Sequence, residues 1–311
     1  MKSWLLKLHR WIALIFALPL IFVIGTGLIL SFEPWIVDHA VAPNTLTPAK
    51  AEALLNQYDP HQQARALNYR SYDNTLTIGA GRGGGTIVDV ASGQALTAPS
   101  AVANFLITAR RIHERLLIDA NWLVIGSTVS MVVLATLGVL MGWPRLSNTL
   151  SGWHKAMAWA FLPLVVLSPL TGLMLAANVT FTGESAGNAA AHGAPLPLAD
   201  AVRIVGEQHD LSTLVFLRPQ GGRLVARLDE GGEYRLYAVS RDGMTAMPRN
   251  WPRLWHEGDF AGAWSSLINV ATSLAMIGLL VTGPLIWLRR RLKRRAQRDS
   301  RRAGAIEPRT A

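Results

Sequence analysis

Four histidines stand where long apolar runs begin. His9 opens the run in "LHRWIAL" (8–14) and His154 the run in "WHKAMAW" (153–159). His113 in "RIHERLLI" (111–118) and His256 in "LWHEGDFAG" (254–262) precede two more. A neutral imidazole is a good axial ligand for haem iron, and a low-spin electron-transfer haem b takes two, one from each side of the ring. Pairing by depth gives His9 with His154 on one face of a membrane and His113 with His256 on the other. With ligands at helix ends in a hydrocarbon core about 30 Å thick, the sites would lie ~20 Å apart along the membrane normal. A single histidine at a helix end has a plainer use, as an interfacial side chain bonded to water or a carbonyl. Four in matched pairs favour ligation. His39, His61, His192 and His209 have no such partners and are expected to be solvent-exposed; His192 with His209 lacks metal-site spacing.

The elements that must hold these residues are membrane spans. Half of the 311 residues are hydrophobic and 16% are charged, a balance for a polytopic membrane protein. A span needs roughly 20 apolar residues. The resulting division is span one within 1–32, an outer segment 33–119, span two at 120–143, a cytoplasmic loop 144–155, span three at 156–178, a second outer segment 179–262, span four at 263–288 and a basic tail 289–311. The first apolar run, though followed by a small-x-small "HAVA" (39–42), is too long for a signal-peptide core and reads as a permanent span. Lys2, Lys7 and Arg10 before span one, Arg145 and Lys155 between spans two and three, and the tail obey the positive-inside rule if both termini are cytoplasmic. In a bacterium this is an inner-membrane protein with two periplasmic segments.

Most of the net charge of +10 sits in that tail, where nine Arg and one Lys meet one Asp and one Glu. A basic cluster directly after a span signals topology and contact with membrane lipid. No basic face with interleaved aromatics occurs elsewhere, so no nucleic-acid partner is expected. The chain has no cysteine, which excludes disulfides, Fe–S clusters, thiol catalysis and thioether-linked haem.

The two halves repeat. His9 is followed seventeen residues later by "TGLIL" and His154 seventeen residues later by "TGLML"; Pro19 and Pro163 lie at nearly matching depth. Each outer segment opens with a helical pattern, "TPAKAEALLNQY" (47–58) or "PLADAVRIVGEQ" (197–208). Each continues with alternating runs and Gly-rich turns, "LTIGAGRGGGTIVDVASGQAL" and "LVARLDEGGEYRLYAVSRDGMTAM", that predict small antiparallel sheets. The fold class is therefore an α-helical membrane protein: a four-helix transmembrane bundle built from a parallel tandem repeat, with two small α+β extracytoplasmic domains.

Other residues admit two uses. Gly25, Gly27, Gly138, Gly172, Gly278 and Gly283 would let a flat macrocycle approach the backbone, or let helices approach one another. Arg10, Lys155, Arg111, Arg115 and Arg253 would pair with haem propionates, or anchor the chain at the interface.

The runs "LHRWIALIFALPLIFVIGTGLIL", "GWPR", "WHKAMAWAFLPLVVLSPLTGLML" and "WHEGDFAGAWSSLINVATSLAMIGLLVTGPLIWLRRR" resemble the PepSY-associated transmembrane (PepSY-TM) family, over nearly the whole chain to about residue 291. That family includes iron-regulated membrane proteins and ferric-siderophore reductases. The resemblance implies PepSY-like outer domains and two non-covalent haem b groups, with His9, His113, His154 and His256 as iron ligands. Electrons would pass from a cytoplasmic or quinol donor to a ferric siderophore or other ferric chelate in the periplasm, releasing Fe(II). His113 departs from the pattern, being followed by "ERLLIDAN" where His256 has "EGD".

No nucleotide-binding glycine fingerprint follows a strand, so the electron donor is a separate molecule. The alternative is a non-enzymatic membrane accessory protein whose outer domains bind a peptide or protein. A transporter subunit fits less well, because no span carries an acidic residue or a recognisable break.

Overall fold

The computed structural model describes residues 2–81, 84–144, 147–181 and 196–306; Arg145 and His192 lie outside them. The first half runs α1 (Lys2–Ile15), α2 (Ala17–Leu30), α3 (Glu33–Ala40), α4 (Pro48–Tyr58), β1 (Ala66–Arg70), β2 (Thr75–Gly81), β3 (Gly84–Asp89), β4 (Ala95–Leu96), α5 (Ala101–Arg115) and α6 (Asn121–Leu140). The second runs α7 (Leu150–Ala160), α8 (Leu162–Ala176), α9 (Leu198–Gln208), β5 (Leu214–Gln220), β6 (Arg223–Glu230), β7 (Glu233–Ser240), β8 (Gly243–Ala246), α10 (Trp251–Glu257) and α11 (Ala263–Ile306). They form two units, one of residues 1–28, 111–173 and 271–311, the other of 29–110 and 174–270.

Three helices are long and apolar enough to cross a membrane, Ala17–Ala40, Asn121–Leu140 and Ala263–Ser300, and four if the bent pair α7 and α8 counts as one span. The expectation of unbroken spans fails here. The axis turns by 64° at Phe161, between α7 and α8, and the helix is also interrupted at Phe16, between α1 and α2. Each interruption precedes a proline, Pro19 or Pro163. Proline has no N–H, and its ring presses on the carbonyl four residues earlier, Ile15 or Trp159, loosening the ladder at that level. The chain still turns helically there, with Phe16 N–H donating to Ile12 O and Phe161 N–H to Met157 O, both at 3.0 Å.

In the first unit, Leu20, Ile24 and Met276 are buried together, with Phe16, Met131, Val165, Ile277 and Leu280 against them. The cluster draws on α2, α6, α8 and α11. Lipid tails are as apolar as leucine, so close packing and internally satisfied hydroxyls hold such helices together. Ser127, Ser130 and Thr171 are buried and bond back to the carbonyls of Leu123, Ser127 and Leu167.

In the second unit the two outer segments do not make separate sheets. Their strands form one eight-stranded antiparallel sheet in the order β4-β3-β2-β1-β5-β6-β7-β8. The seam is β1 against β5, with Leu67 opposite Leu217 and Asn68 opposite Phe216. Alone, each half would leave β1 or β5 as an open edge with unpaired N–H and C=O groups; pairing them removes both edges. Leu67 and Leu217 are fully buried in a core shared with Leu54 and Leu55 of α4 and Val202 and Val205 of α9. Each such side chain contributes about 1.5–3 kcal/mol by leaving water. The helices begin where the sequence predicts. Thr47 caps α4 by accepting from Lys50 N–H, and Gly231-Gly232, both at positive φ, turn β6 into β7.

Candidate functional site

His113 lies near the end of α5, half-buried, in the first unit. Its Nδ1 is 2.9 Å from the carbonyl oxygen of Val23 and 3.3 Å from Thr26 Oγ1. A carbonyl only accepts, so Nδ1 carries the proton and Nε2 keeps its lone pair. The ring fits because residue 27 is glycine: a Cβ there would come within 3.3 Å of His113 Cε1.

His154 in α7 is held in the same way by α11. Its Nδ1 is 2.7 Å from Thr282 Oγ1. Thr282 O–H already donates to Gly278 O at 2.6 Å, so its oxygen accepts from the imidazole. Nε2 is again the unprotonated ring nitrogen. Gly283 follows Thr282, and a Cβ on it would stand 3.8 Å from His154 Cε1. Metal-binding histidines are oriented by this kind of hydrogen bond on the far ring nitrogen, which fixes tautomer and ring plane. The sequence reading missed Thr26 and Thr282. The signal was present, since Thr-Gly occurs in "TGLIL", "TGLML" and "VTGPL".

His9 in α1 is half-buried and close enough to His154 for the charge on one to be felt at the other. Its Nδ1 is buried without a hydrogen-bond partner among the described residues. Arg10 Nε beside it is also buried with no acceptor among them. A buried guanidinium nitrogen without an acceptor suits an anionic group such as a carboxylate. Lys155 is exposed next to His154. Arg115 is exposed and reaches Asp119 at 3.4 Å, one turn along its own segment.

His256 belongs to the second unit, half-buried on the short helix α10. Two features fix its backbone. Its carbonyl accepts from Asn269 Nδ2 at 3.0 Å. Gly258 ends the helix in the left-handed conformation at φ 80°, which a side chain would strain. The acids on either side of that glycine hold Arg227 of β6: Glu257 Oε2 at 2.7 Å and Asp259 Oδ2 at 3.1 Å, all three well buried. The Arg227 guanidinium also lies 4.1 Å over the Tyr234 ring. Burial works to raise the Glu257 pKa, but Arg227, Arg253 and Arg110 outweigh it and hold the carboxyl well below its ordinary range. For Asp259, burial and the neighbouring Glu257 carboxylate win over Arg227, so its pKa is raised well above the ordinary carboxyl value. The "EGD" that follows His256 is thus an anchor that ties α10 to the sheet.

The other histidines stand apart. His39 is 59% exposed and bonds the Trp35 carbonyl; His61 is exposed. His209 departs from its expected exposure: it is half-buried, tilted against the Tyr237 ring with Glu230 at 3.4 Å. Among the described residues no group of three or more His, Cys, Asp or Glu is arranged to hold a free metal ion.

The donor set fits haem b better than a bare cation. The described imidazoles come singly from different helices, and two have their proton fixed on Nδ1 by a neighbouring helix. The comparisons bear on which proteins share this plan. No curated protein matches the chain. The model of the PepSY-associated TM region matches residues 6–290. The chain is a membrane protein of the PepSY-associated transmembrane family.

Proposed function

We propose that this protein is a di-haem b oxidoreductase of the bacterial inner membrane, carrying electrons to a ferric siderophore or other ferric chelate on the periplasmic side. In this reading the apolar helices form a four-helix bundle from two tandem halves, with His9 and His154 serving a cytoplasmic-side haem and His113 serving an outer one. The tandem reading is supported by the matched helix interruptions at Phe16 and Phe161 and by the apolar cluster shared among α2, α6, α8 and α11.

The observation that carries the proposal is the repeated imidazole setting. His113 and His154, on different helices, each donate Nδ1–H to a fixed oxygen, present Nε2, and pack on a Thr-Gly pair. Haem b held by imidazoles in this setting would supply one-electron Fe(III)/Fe(II) chemistry. The chain's own contribution is orientation and electrostatics. Thr282 and the Val23 carbonyl lock ring planes before any ligand arrives. Arg10 supplies a charge for a propionate. One electron reduces one ferric centre, drawn from a quinol or a separate protein donor. Fe(II) is softer and less charged than Fe(III), so hard oxygen donors release it more readily.

The test is a reduced-minus-oxidised optical spectrum of the purified protein. A b-type difference band, with one part lost in His154→Ala and another in His113→Ala, supports the proposal. A folded protein with no such band overturns it.

A further inference from the structure

On the sheet face opposite α4 and α9, the second unit has an open cleft. Its floor is a row across three strands, Phe216 of β5, Arg227 of β6 and Leu236 of β7, paired in register. One wall is the chain after α8, with Asn178, Val179 and Thr180; another is α10, with Arg253 and Leu254. Five arginines line it, Arg218, Arg227, Arg235, Arg249 and Arg253, and no acidic side chain does among the described residues.

The acids stand behind the arginines rather than between them. Glu233 holds Arg249 through both oxygens, at 2.6 and 3.0 Å, and Arg235 at 3.2 Å. Glu257 holds Arg227 and Arg253. Among the described residues the five guanidiniums outnumber the three carboxyl groups behind them, Glu233, Glu257 and Asp259, so the cleft keeps an excess of positive charge. Two of its guanidiniums lie over aromatic rings, Arg218 4.0 Å from the Phe216 centroid and Arg227 4.1 Å from that of Tyr234. A guanidinium held over a ring is already oriented and only weakly hydrated, which favours planar oxyanions over point charges. Arg253 precedes His256 by three residues on α10, about one helical turn.

We propose that this cleft receives the oxyanion face of a ferric chelate of catecholate or carboxylate type, and that neutral or cationic trihydroxamate chelates are poor ligands for it. The proposal rests on the oxidoreductase reading for the identity of the electron acceptor, but binding itself needs no haem. Chelates of this class would be held one helical turn from a candidate iron ligand.

Ga(III) has the charge and nearly the size of Fe(III) and is not reduced, so it separates binding from electron transfer. Full-length protein in nanodiscs is titrated calorimetrically with Ga(III) tris-catecholate, Ga(III) trihydroxamate, inorganic phosphate and glycerophosphate. The expected result is tightest binding of the tris-catecholate, at least about tenfold over each of the others, and weakening with salt. Arg218→Gln lowers that affinity at least about tenfold, and Arg218→Lys recovers part of it. Equal affinity for the trihydroxamate, no effect of Arg218→Gln in a protein that melts like the parent, or equal binding of glycerophosphate as a lipid-headgroup stand-in would each overturn it. A colourless protein that keeps the tris-catecholate preference retains the cleft and removes the cytochrome; a coloured one without the preference does the reverse.

Discussion

Replacing Arg227 by methionine keeps the volume of its stem and removes the cation under the segment that follows His256. Losing one partner of a buried ion pair costs about 3–5 kcal/mol, because the other charge is stranded. Two details place this site at the low end. Arg253 still reaches Glu257, and the raised pKa of Asp259 lessens the charge that Arg227 leaves behind. The expected loss is therefore about 3 kcal/mol, or roughly 6–12 °C in melting temperature for a unit of this size. Acidification should narrow the gap. In the parent, Glu257 is held below its unfolded value, so its contribution is present above that value and fades as pH falls. In Arg227→Met the same carboxyl loses its strongest cation, its pKa rises, and it destabilises increasingly as pH climbs past the unfolded value. The second trend makes the difference larger near pH 8 than near pH 5; the first acts only below the unfolded value and leaves the parent unchanged across this range. Differential scanning fluorimetry across that range, with the optical spectrum recorded in parallel, measures the difference. An Arg227→Met protein that melts within a degree or two of the parent at pH 8, or shows the same deficit at pH 5, refutes the anchor.

Three other substitutions probe separate links. Thr282→Val removes the acceptor for His154 Nδ1–H at a cost of about 1–3 kcal/mol; less basic imidazole should raise the midpoint potential of one haem in a redox titration, and Thr282→Ser should restore it. Asp229 is nearly sealed in the sheet and its pKa is raised by burial to about 6. The fold then binds more protons than the unfolded chain, so stability falls as pH rises from 4 to 6 and is flat above, by about 3 kcal/mol at most. Asp229→Asn should abolish that slope in thermal melts. Leu217→Ala at the seam should cost about 2–5 kcal/mol, and hydrogen exchange should show β1 and β5 opening together; β1 protection left unchanged would contradict the shared core.

Local periodicity made much of the fold legible. The 3.6-residue pattern located α4 and α9, and alternation with paired glycines located the β2–β3 and β6–β7 hairpins. The β1–β5 seam left no local mark, because pairing between strands this distant in sequence is decided by which edges remain open. The break at Phe161 had its cause in Pro163, but a proline two positions later reads equally well as an ordinary first turn. For the candidate site, the histidines were visible as residue types at span ends. Their supports were not: Thr26 and Thr282 look like ordinary helix-facing hydroxyls until the partner helix is placed. The acids around Gly258 look like surface charge until Arg227 of β6 is seen beneath them.

The joining of the halves across β1 and β5 has a consequence for biosynthesis. About 150 residues separate Leu67 from its cross-strand neighbour Leu217. At the usual pace of translation, about 5–20 residues per second, the earlier strand waits on the order of 10–30 s for its mate. During that interval a nascent copy offers a bare ribbon to any sister emerging nearby. Exchange of strands between sister copies is then the characteristic assembly error for this architecture, and mutations that slow production of the second half should raise its frequency.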